Sequence, residues 1–164
     1  MILLRIEIAS QVLDLVTTAG EIGRRYQISS SRNGVGERSG SFCTPRGRHV
    51  VRAKIGGGLP LNSVFVKRRP TGELFTPDLA AGNPNRDWIL TRILWLSGCE
   101  PGFNRLREVD TMRRYIYIHG SPDTVEMGKP GSIGCIRMRN QDIVELYERV
   151  AAGTPVEIVE GAHN

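Results

Sequence analysis

Two side chains have types and spacing that could do chemistry, and both lie within residues 115–137. His119 follows Tyr115-Ile116-Tyr117-Ile118, and Cys135 lies within Gly131-Ser132-Ile133-Gly134-Cys135-Ile136-Arg137. A free thiol has a pKa near about 8.5 and is only partly ionised at neutral pH, so a cysteine nucleophile needs a base within hydrogen-bond reach. His119 is the candidate base. A glycine just before a nucleophile lets backbone N–H groups approach a substrate oxygen with no Cβ in the way, which makes Gly134 and Cys135 the raw material of an oxyanion hole. From the residues alone a second reading stays open. Cysteine is often a small buried hydrophobe, and a Cys/His pair at no defined spacing does not by itself identify an enzyme.

The elements around this pair must hold the two residues together. Tyr115 to Ile118 alternates aromatic and β-branched residues, which favours a strand and puts His119 at its end, firmly held yet reaching solvent. The following loop carries Pro122, Gly128, Pro130 and Gly131, so it can turn back and bring Cys135 beside His119. After the cysteine, Asn140 can cap a helix over about 140–152, with Ile143, Leu146, Tyr147 and Val150 on one face and Gly153 just past its end. Elsewhere the pattern is of strands. Ile2, Leu4, Ile6 and Ile8 share one face of an extended segment, residues 11–16 continue in β-rich composition to a turn at 17–20, and 24–29 read as the returning strand. Residues 29–47 are polar and glycine-rich, a long loop in which Cys43 has a structural role. Further strands are expected at 49–55, 62–67, 89–96 and 155–160, with a turn at Arg69-Pro70-Thr71-Gly72 and a loop over 76–88. Trp88 and Trp95 belong to the core or line the cleft.

Length and charge narrow the possibilities. A chain of 164 residues fits a single domain over 1–164 with a real core. Its 19 glycines and 9 prolines call for many turns and hence many short strands. Lys+Arg 22 against Asp+Glu 17 gives a net charge of +5, which suits an anionic partner. The densest basic run, Lys67-Arg68-Arg69, has no aromatic interleaving and belongs to no nucleic-acid motif, so it reads as a solvated strand end and no nucleic-acid partner is expected. Three cysteines at wide spacing (Cys43, Cys99 and Cys135) form neither a disulfide framework nor a zinc site. With three histidines (His49, His119 and His163) and no His-Glu-x-x-His pattern, no metal and no cofactor is expected. The apolar run at 1–8 is broken by Arg5 and Glu7 and reads as a strand, not an export signal, and no segment is long enough to span a membrane. Read as written, the protein is expected in the cytoplasm; the alternative is the periplasm or cell envelope, reached by another route or from a longer precursor.

Ile118-His119-Gly120 followed by Ser132-Ile133-Gly134-Cys135-Ile136-Arg137-Met138 resembles the signature of the YkuD-type L,D-transpeptidases. Asn33-Gly34-Val35-Gly36-Glu37, Thr44-Pro45-Arg46-Gly47-Arg48-His49, residues 89–96, Glu100-Pro101-Gly102 and Gly153-Thr154-Pro155-Val156 extend the resemblance over about residues 10–160. Two positions depart from it: Ile133 stands where the family has histidine, and Ser121 replaces threonine. The fold expected from composition and resemblance together is mainly β, a sandwich or partly closed barrel with one clear helix.

The resemblance implies Cys135 as nucleophile, His119 as its base and Gly120 as the residue whose carbonyl orients the imidazole. It further implies backbone N–H groups of Gly134 and Cys135 around the oxyanion, Arg137 against a substrate carboxylate, and Ser132 and Tyr117 lining the site. The implied donor is a peptidoglycan stem peptide or muropeptide, cleaved between diaminopimelate and D-alanine through a thioester. An amine acceptor gives a 3-3 cross-link; water gives an L,D-carboxypeptidase acting in muropeptide recycling. A third alternative is an inactive member that binds wall fragments. Carbapenem-type β-lactams are the implied covalent inhibitors.

Overall fold

A computed structural model describes residues 2–161. Met1 and His163 lie outside them. Ten strands and two α-helices run in the order β1 (Leu3–Glu7), β2 (Val12–Val16), β3 (Ile22–Gln27), β4 (Gly47–Ile55), β5 (Ser63–Val66), β6 (Arg69–Leu74), α1 (Pro77–Ala81), β7 (Ile89–Gly98), β8 (Tyr117–Gly120), β9 (Ile136–Met138), α2 (Asn140–Arg149) and β10 (Pro155–Val159). The protein is mainly β, as expected, and all ten strands join one sheet that does not close.

The sheet is built on β7, the longest strand. The path runs β3-β2-β1-β10-β4-β7-β5-β6. β4 pairs with β7 over Ile93 to Gly98 and β5 over Ile89 and Leu90, so these two divide one edge between them. β8 takes the other edge, and β9 adds to β8 in parallel. Residues alternate between the two faces of a strand. One face of β7, β8 and β9 sends Leu94, Leu96, Ile118, Ile136 and Met138 into the main core, where they meet Leu4, Ile6 and Ile158 and the α2 residues Ile143 and Leu146. The opposite face carries Ile93, Trp95 and Tyr117, which pack with Phe65 in a smaller cluster that Cys135 adjoins. Burying each core aliphatic side chain contributes about 1.5–3 kcal/mol. The core therefore fixes which residues are left facing the other way.

Several boundaries differ from those read in the sequence. The strand at 115–118 begins later, as β8, because Tyr115 sits in a turn at φ 58°. His119 is therefore inside the strand and 1% exposed, not at a solvent-reaching end. The expected turn at 69–72 is the strand β6; the turn is Lys67-Arg68, both in the left-handed region at φ 49° and 66°, closing a two-residue hairpin between Val66 and Arg69. A proline is tolerated on this edge strand because no neighbour needs its N–H. Residues 76–88 include α1, capped by the Thr76 hydroxyl. Asn140 does not cap α2: Arg139 holds the cap position, and the Asn140 side chain bonds inward to Thr91 and Asn62. The helix ends at Arg149, and Gly153 at φ 91° serves the turn into β10, its N–H bonding the Val51 carbonyl.

His49 on β4 is buried at 1% exposure, with Nδ1–H donating to the Gly47 carbonyl (3.0 Å) and Nε2 accepting from the Thr111 hydroxyl (2.9 Å). Burial pushes its pKa down from 6.5 to about 4, against the opposing pull of the Gly47 bond and of Glu100 and Glu37. The unfolded chain binds a proton at this residue where the folded one does not, so stability is full above about pH 6.5 and falls as the pH drops towards about 4. The loss is roughly 3 kcal/mol. Thermal melts at about pH 7 and about pH 4.5 should show a larger drop for the wild type than for His49→Gln; an equal drop in both would refute the role of His49.

Candidate active site

The parallel pairing of β8 and β9 sets His119 level with Arg137 and Ile118 level with Ile136. Cys135 immediately precedes β9, so it is one step diagonal to His119, and His119, Cys135, Arg137 and Tyr117 all lie on the face turned away from the main core. The Tyr117 N–H donates to the Cys135 sulfur (3.3 Å), and the thiol donates to the Tyr115 carbonyl (3.4 Å). No hydrogen bond joins the sulfur to the imidazole among the described residues. The two neutral groups share a face without being bonded.

His119 Nδ1 lies 2.6 Å from the carbonyl oxygen of Gly120. A carbonyl only accepts, so Nδ1 carries the proton and the Nε2 lone pair is left to act as a base. Gly120 itself is enclosed. A Cβ there would lie 2.6 Å from the Leu90 carbonyl and 3.1 Å from Thr91 Cβ, and would also overlap Asn140 Oδ1. Behind it, the Thr91 hydroxyl donates to Asn140 Oδ1 (2.6 Å) and accepts from the Asn62 N–H (3.1 Å), while Asn140 Nδ2 donates to Asn62 Oδ1 (3.0 Å). These three residues escaped the sequence reading because nothing in their spacing shows that they meet.

The loop before Cys135 is clamped from residues 29–47. Ser29 and Arg137 exchange both backbone hydrogen bonds at 2.9 Å, and the Arg32 N–H donates to the Ser132 carbonyl (3.0 Å). The Ser132 hydroxyl accepts from the Gly134 N–H (3.2 Å) and donates to the Cys135 carbonyl (2.5 Å). Ser132 is thus a buried clip within the loop, outside the lining of the cavity that Cys135 meets, and it occupies the Gly134 N–H. Gly134 takes φ 136°, and its carbonyl accepts from the Thr44 hydroxyl (2.9 Å). The N–H of Cys135 has no acceptor among the described residues.

A cavity of about 600 Å³ opens beside the sulfur, lined among others by Cys135, Tyr117, Tyr115, Ile133, Arg68 and Asp87. Arg137 stays outside that lining. It is half-buried, with Nη2 on the Ser29 hydroxyl (3.2 Å), Nε without a partner, and no carboxylate paired to it among the described residues. Arg68 and Asp87 were missed in the sequence. The basic run looks solvated until the Lys67-Arg68 turn is seen to bring Arg68 over Trp95 and Tyr115 (4.7 and 4.8 Å to the ring centroids) and onto the Tyr117 hydroxyl (2.9 Å).

Burial decides the charge state of the pair. The sulfur lies deep among protein atoms with one side on the cavity, and burial pushes the Cys135 thiol up to about 12; Asp87 adds to this, while the Tyr117 N–H, Arg114 and Arg137 oppose it. Burial also lowers the pKa of His119, against the Gly120 bond and Asp87, which raise it. Both effects favour neutral forms. The resting pair is a thiol and an imidazole, not an ion pair.

The sequence model of the YkuD family, the L,D-transpeptidase catalytic domain, matches residues 2–158. The chain belongs to this family. Over 134 residues it is 28% identical to the "Probable L,D-transpeptidase YbiS" of Escherichia coli (strain K12), the match covering 73% of this chain and 41% of that protein. The chain thus spans less than half the length of the curated relatives it matches. L,D-transpeptidase 3 from Mycobacterium tuberculosis, in complex with a faropenem-derived adduct, has the same fold with a TM-score of 0.57 at 17% identity, over 97% of this chain and 60% of that one. The L,D-transpeptidase LdtMt1, in complex with imipenem, aligns with a TM-score of 0.57 at 18% identity, over 96% and 58% of the two chains.

The packing around Gly120 makes a prediction that is independent of activity. Gly120→Ala should lower stability by about 1–3 kcal/mol, read as a lower urea midpoint, because the new methyl group meets backbone. An unchanged midpoint would show that the β7–β8 contact is looser than described.

Proposed function

We propose that this L,D-transpeptidase-family domain is a cysteine-dependent acyltransferase acting on peptidoglycan stem peptides. The observation that carries the reading is an imidazole locked with Nε2 unprotonated, one diagonal step from a cysteine whose sulfur meets a cavity. Nε2 takes the thiol proton as the sulfur attacks the diaminopimelate carbonyl carbon. The oxygen becomes an oxyanion, held by the free N–H of Cys135. Collapse breaks the C–N bond, the imidazolium returns its proton to the departing D-alanine amine, and a thioester remains on Cys135. Arg137, cationic and unpaired, is the group for a substrate carboxylate. An amine acceptor then gives a cross-link; water gives the tripeptide.

The β-lactam complexes of the two L,D-transpeptidase structures with this fold suggest the test of the nucleophile. Intact-mass measurement after exposure to imipenem should show one covalent adduct on the wild type and none on Cys135→Ala. A folded wild-type protein that takes no adduct would point instead to a member that binds wall fragments. Incubation with a disaccharide tetrapeptide should release D-alanine, and adding an amine acceptor separates transpeptidation from hydrolysis by the product formed.

The neutral pair also fixes the acid limb of the rate. Protonated imidazole cannot take the thiol proton, so acylation falls as the pH drops through the pKa of His119, which burial sets below the ordinary 6.5. Acylation rates measured from about pH 4 to about pH 8 should hold steady down to about 6.5 and decline below it. A limb centred above about pH 7 would show that burial does not depress the imidazole in the working enzyme.

A further inference from the structure

The cavity beside Cys135 holds charges that the proposed reaction does not use. Lys67, Arg68 and Arg114 are the cationic side chains in its lining and Asp87 is the acidic one. Arg114 is engaged internally, donating to the carbonyls of Cys43 (2.6 Å) and Gly36 (3.2 Å). Arg68 is not. Of its donors, only Nη1 has a protein acceptor, the Tyr117 hydroxyl, and no carboxylate pairs with it among the described residues. Its plane is nevertheless fixed against two rings, Trp95 and Tyr115, on a turn whose two residues both adopt left-handed backbone. A non-glycine residue in that region costs about 1–2 kcal/mol, so the turn holds the guanidinium at the site despite local strain.

Asp87 has neither an ion-pair nor a hydrogen-bond partner among the described residues, and it is near enough to act on His119, Cys135 and Arg137. A carboxylate beside a nucleophilic thiol opposes thiolate formation. It also favours the imidazolium, so its two effects on the pair oppose each other, while its place in the cavity lining leaves it open to a cation from the ligand.

We propose that Arg68 and Asp87 form a clamp for a zwitterion: the free carboxylate and ammonium at the far end of a diaminopimelate side chain. The proposal rests on the acyl-transfer reading above, because that reading places the backbone carbonyl of the same residue at Cys135. The guanidinium binds the carboxylate bidentately, with its orientation already set by the two rings. Asp87 takes the ammonium. Arg137 remains for the carboxylate of the departing D-alanine, so the three charges on the two residues flanking the scissile bond each have a counterpart.

The test compares D-alanine release from three disaccharide tetrapeptides that differ only in the third residue: meso-diaminopimelate, 2-aminopimelate, which lacks the far ammonium, and L-lysine, which lacks the far carboxylate. For the wild type, kcat/KM should be about tenfold higher on the diaminopimelate stem than on either other stem. Arg68→Ala should abolish discrimination against the lysine stem and keep that against aminopimelate; Asp87→Asn should do the reverse. Each readout is a ratio within one protein, so a general loss of activity or stability does not imitate it. Equal wild-type rates on all three stems, or a variant that loses both discriminations or neither, overturn the clamp and leave the acyl-transfer reading standing. No D-alanine from any stem, together with no imipenem adduct on the wild type, overturns both.

Discussion

The short hydrogen bond from His119 to the carbonyl of its own neighbour, Gly120, is the constraint on which the site depends. It joins adjacent residues of one strand, so it exists only while the backbone at Gly120 is held in place. The holding comes from the layer behind. Thr91 adopts φ 75° where the β7–β8 register shifts between Leu90 and Ile93, and its hydroxyl meets Asn140 and Asn62. A β-branched residue in the left-handed region is strained by about 1–2 kcal/mol, and strain of this kind persists where surrounding contacts over-determine it. The bulge at Thr91, the missing Cβ at Gly120 and the inward-turned Asn140 are parts of one arrangement that fixes an imidazole tautomer.

Burial then shapes the chemistry available to that imidazole. In water a thiol and an imidazole of ordinary pKa would share the proton at moderate cost, but here burial disfavours both charged partners at once. The pair stays neutral until something compensates the developing charges. Fixed groups already face each charge: the N–H of Tyr117 and the guanidinium of Arg137 favour the thiolate, and the carbonyl of Gly120 favours the imidazolium, which Arg137 opposes. Such groups need no reorganisation when charge appears, and they count for more in a site that excludes water. The arrangement suits a proton transfer coupled to bond formation better than a standing thiolate.

Much of this was legible in the sequence, and the unread part has a physical cause. Apolar alternation gave β1, and β-rich or nearly continuous apolar runs gave β2, β4, β5, β7 and β10 nearly in place. The order of His119, Gly120 and Cys135 marked the candidate site because each residue's own type matters to the chemistry it suggests. What escaped was whatever depends on two distant segments meeting. Asn140 looked like a helix cap, since an asparagine before an apolar periodic run usually is one; the buried Thr91 hydroxyl offered it a partner that outweighed the cap. The hydroxyl of Ser132, expected to line the site, closes the loop on Gly134 and Cys135, a contact no spacing reveals. Pro70 and Gly72 carried turn chemistry, yet the chain turns three residues earlier, where Lys67 and Arg68 accept unfavourable φ angles.

Ile133, the departure from the family signature, can be placed by the same reasoning. It is 42% exposed on the wall of the cavity, in a lining that also holds Phe42 and Tyr115. It bonds to neither His119 nor Cys135, and the tautomer of His119 is set from the opposite side, by Gly120. An apolar side chain at this position therefore leaves the dyad's own hydrogen bonding untouched and changes the rim that a ligand must pass. Isoleucine offers surface to be buried and no donor to be satisfied, so a polar group of the ligand facing it would lose water without replacement. The exchange alters the rim of the cavity, while the bond that orients the imidazole lies in β8 and the layer behind it.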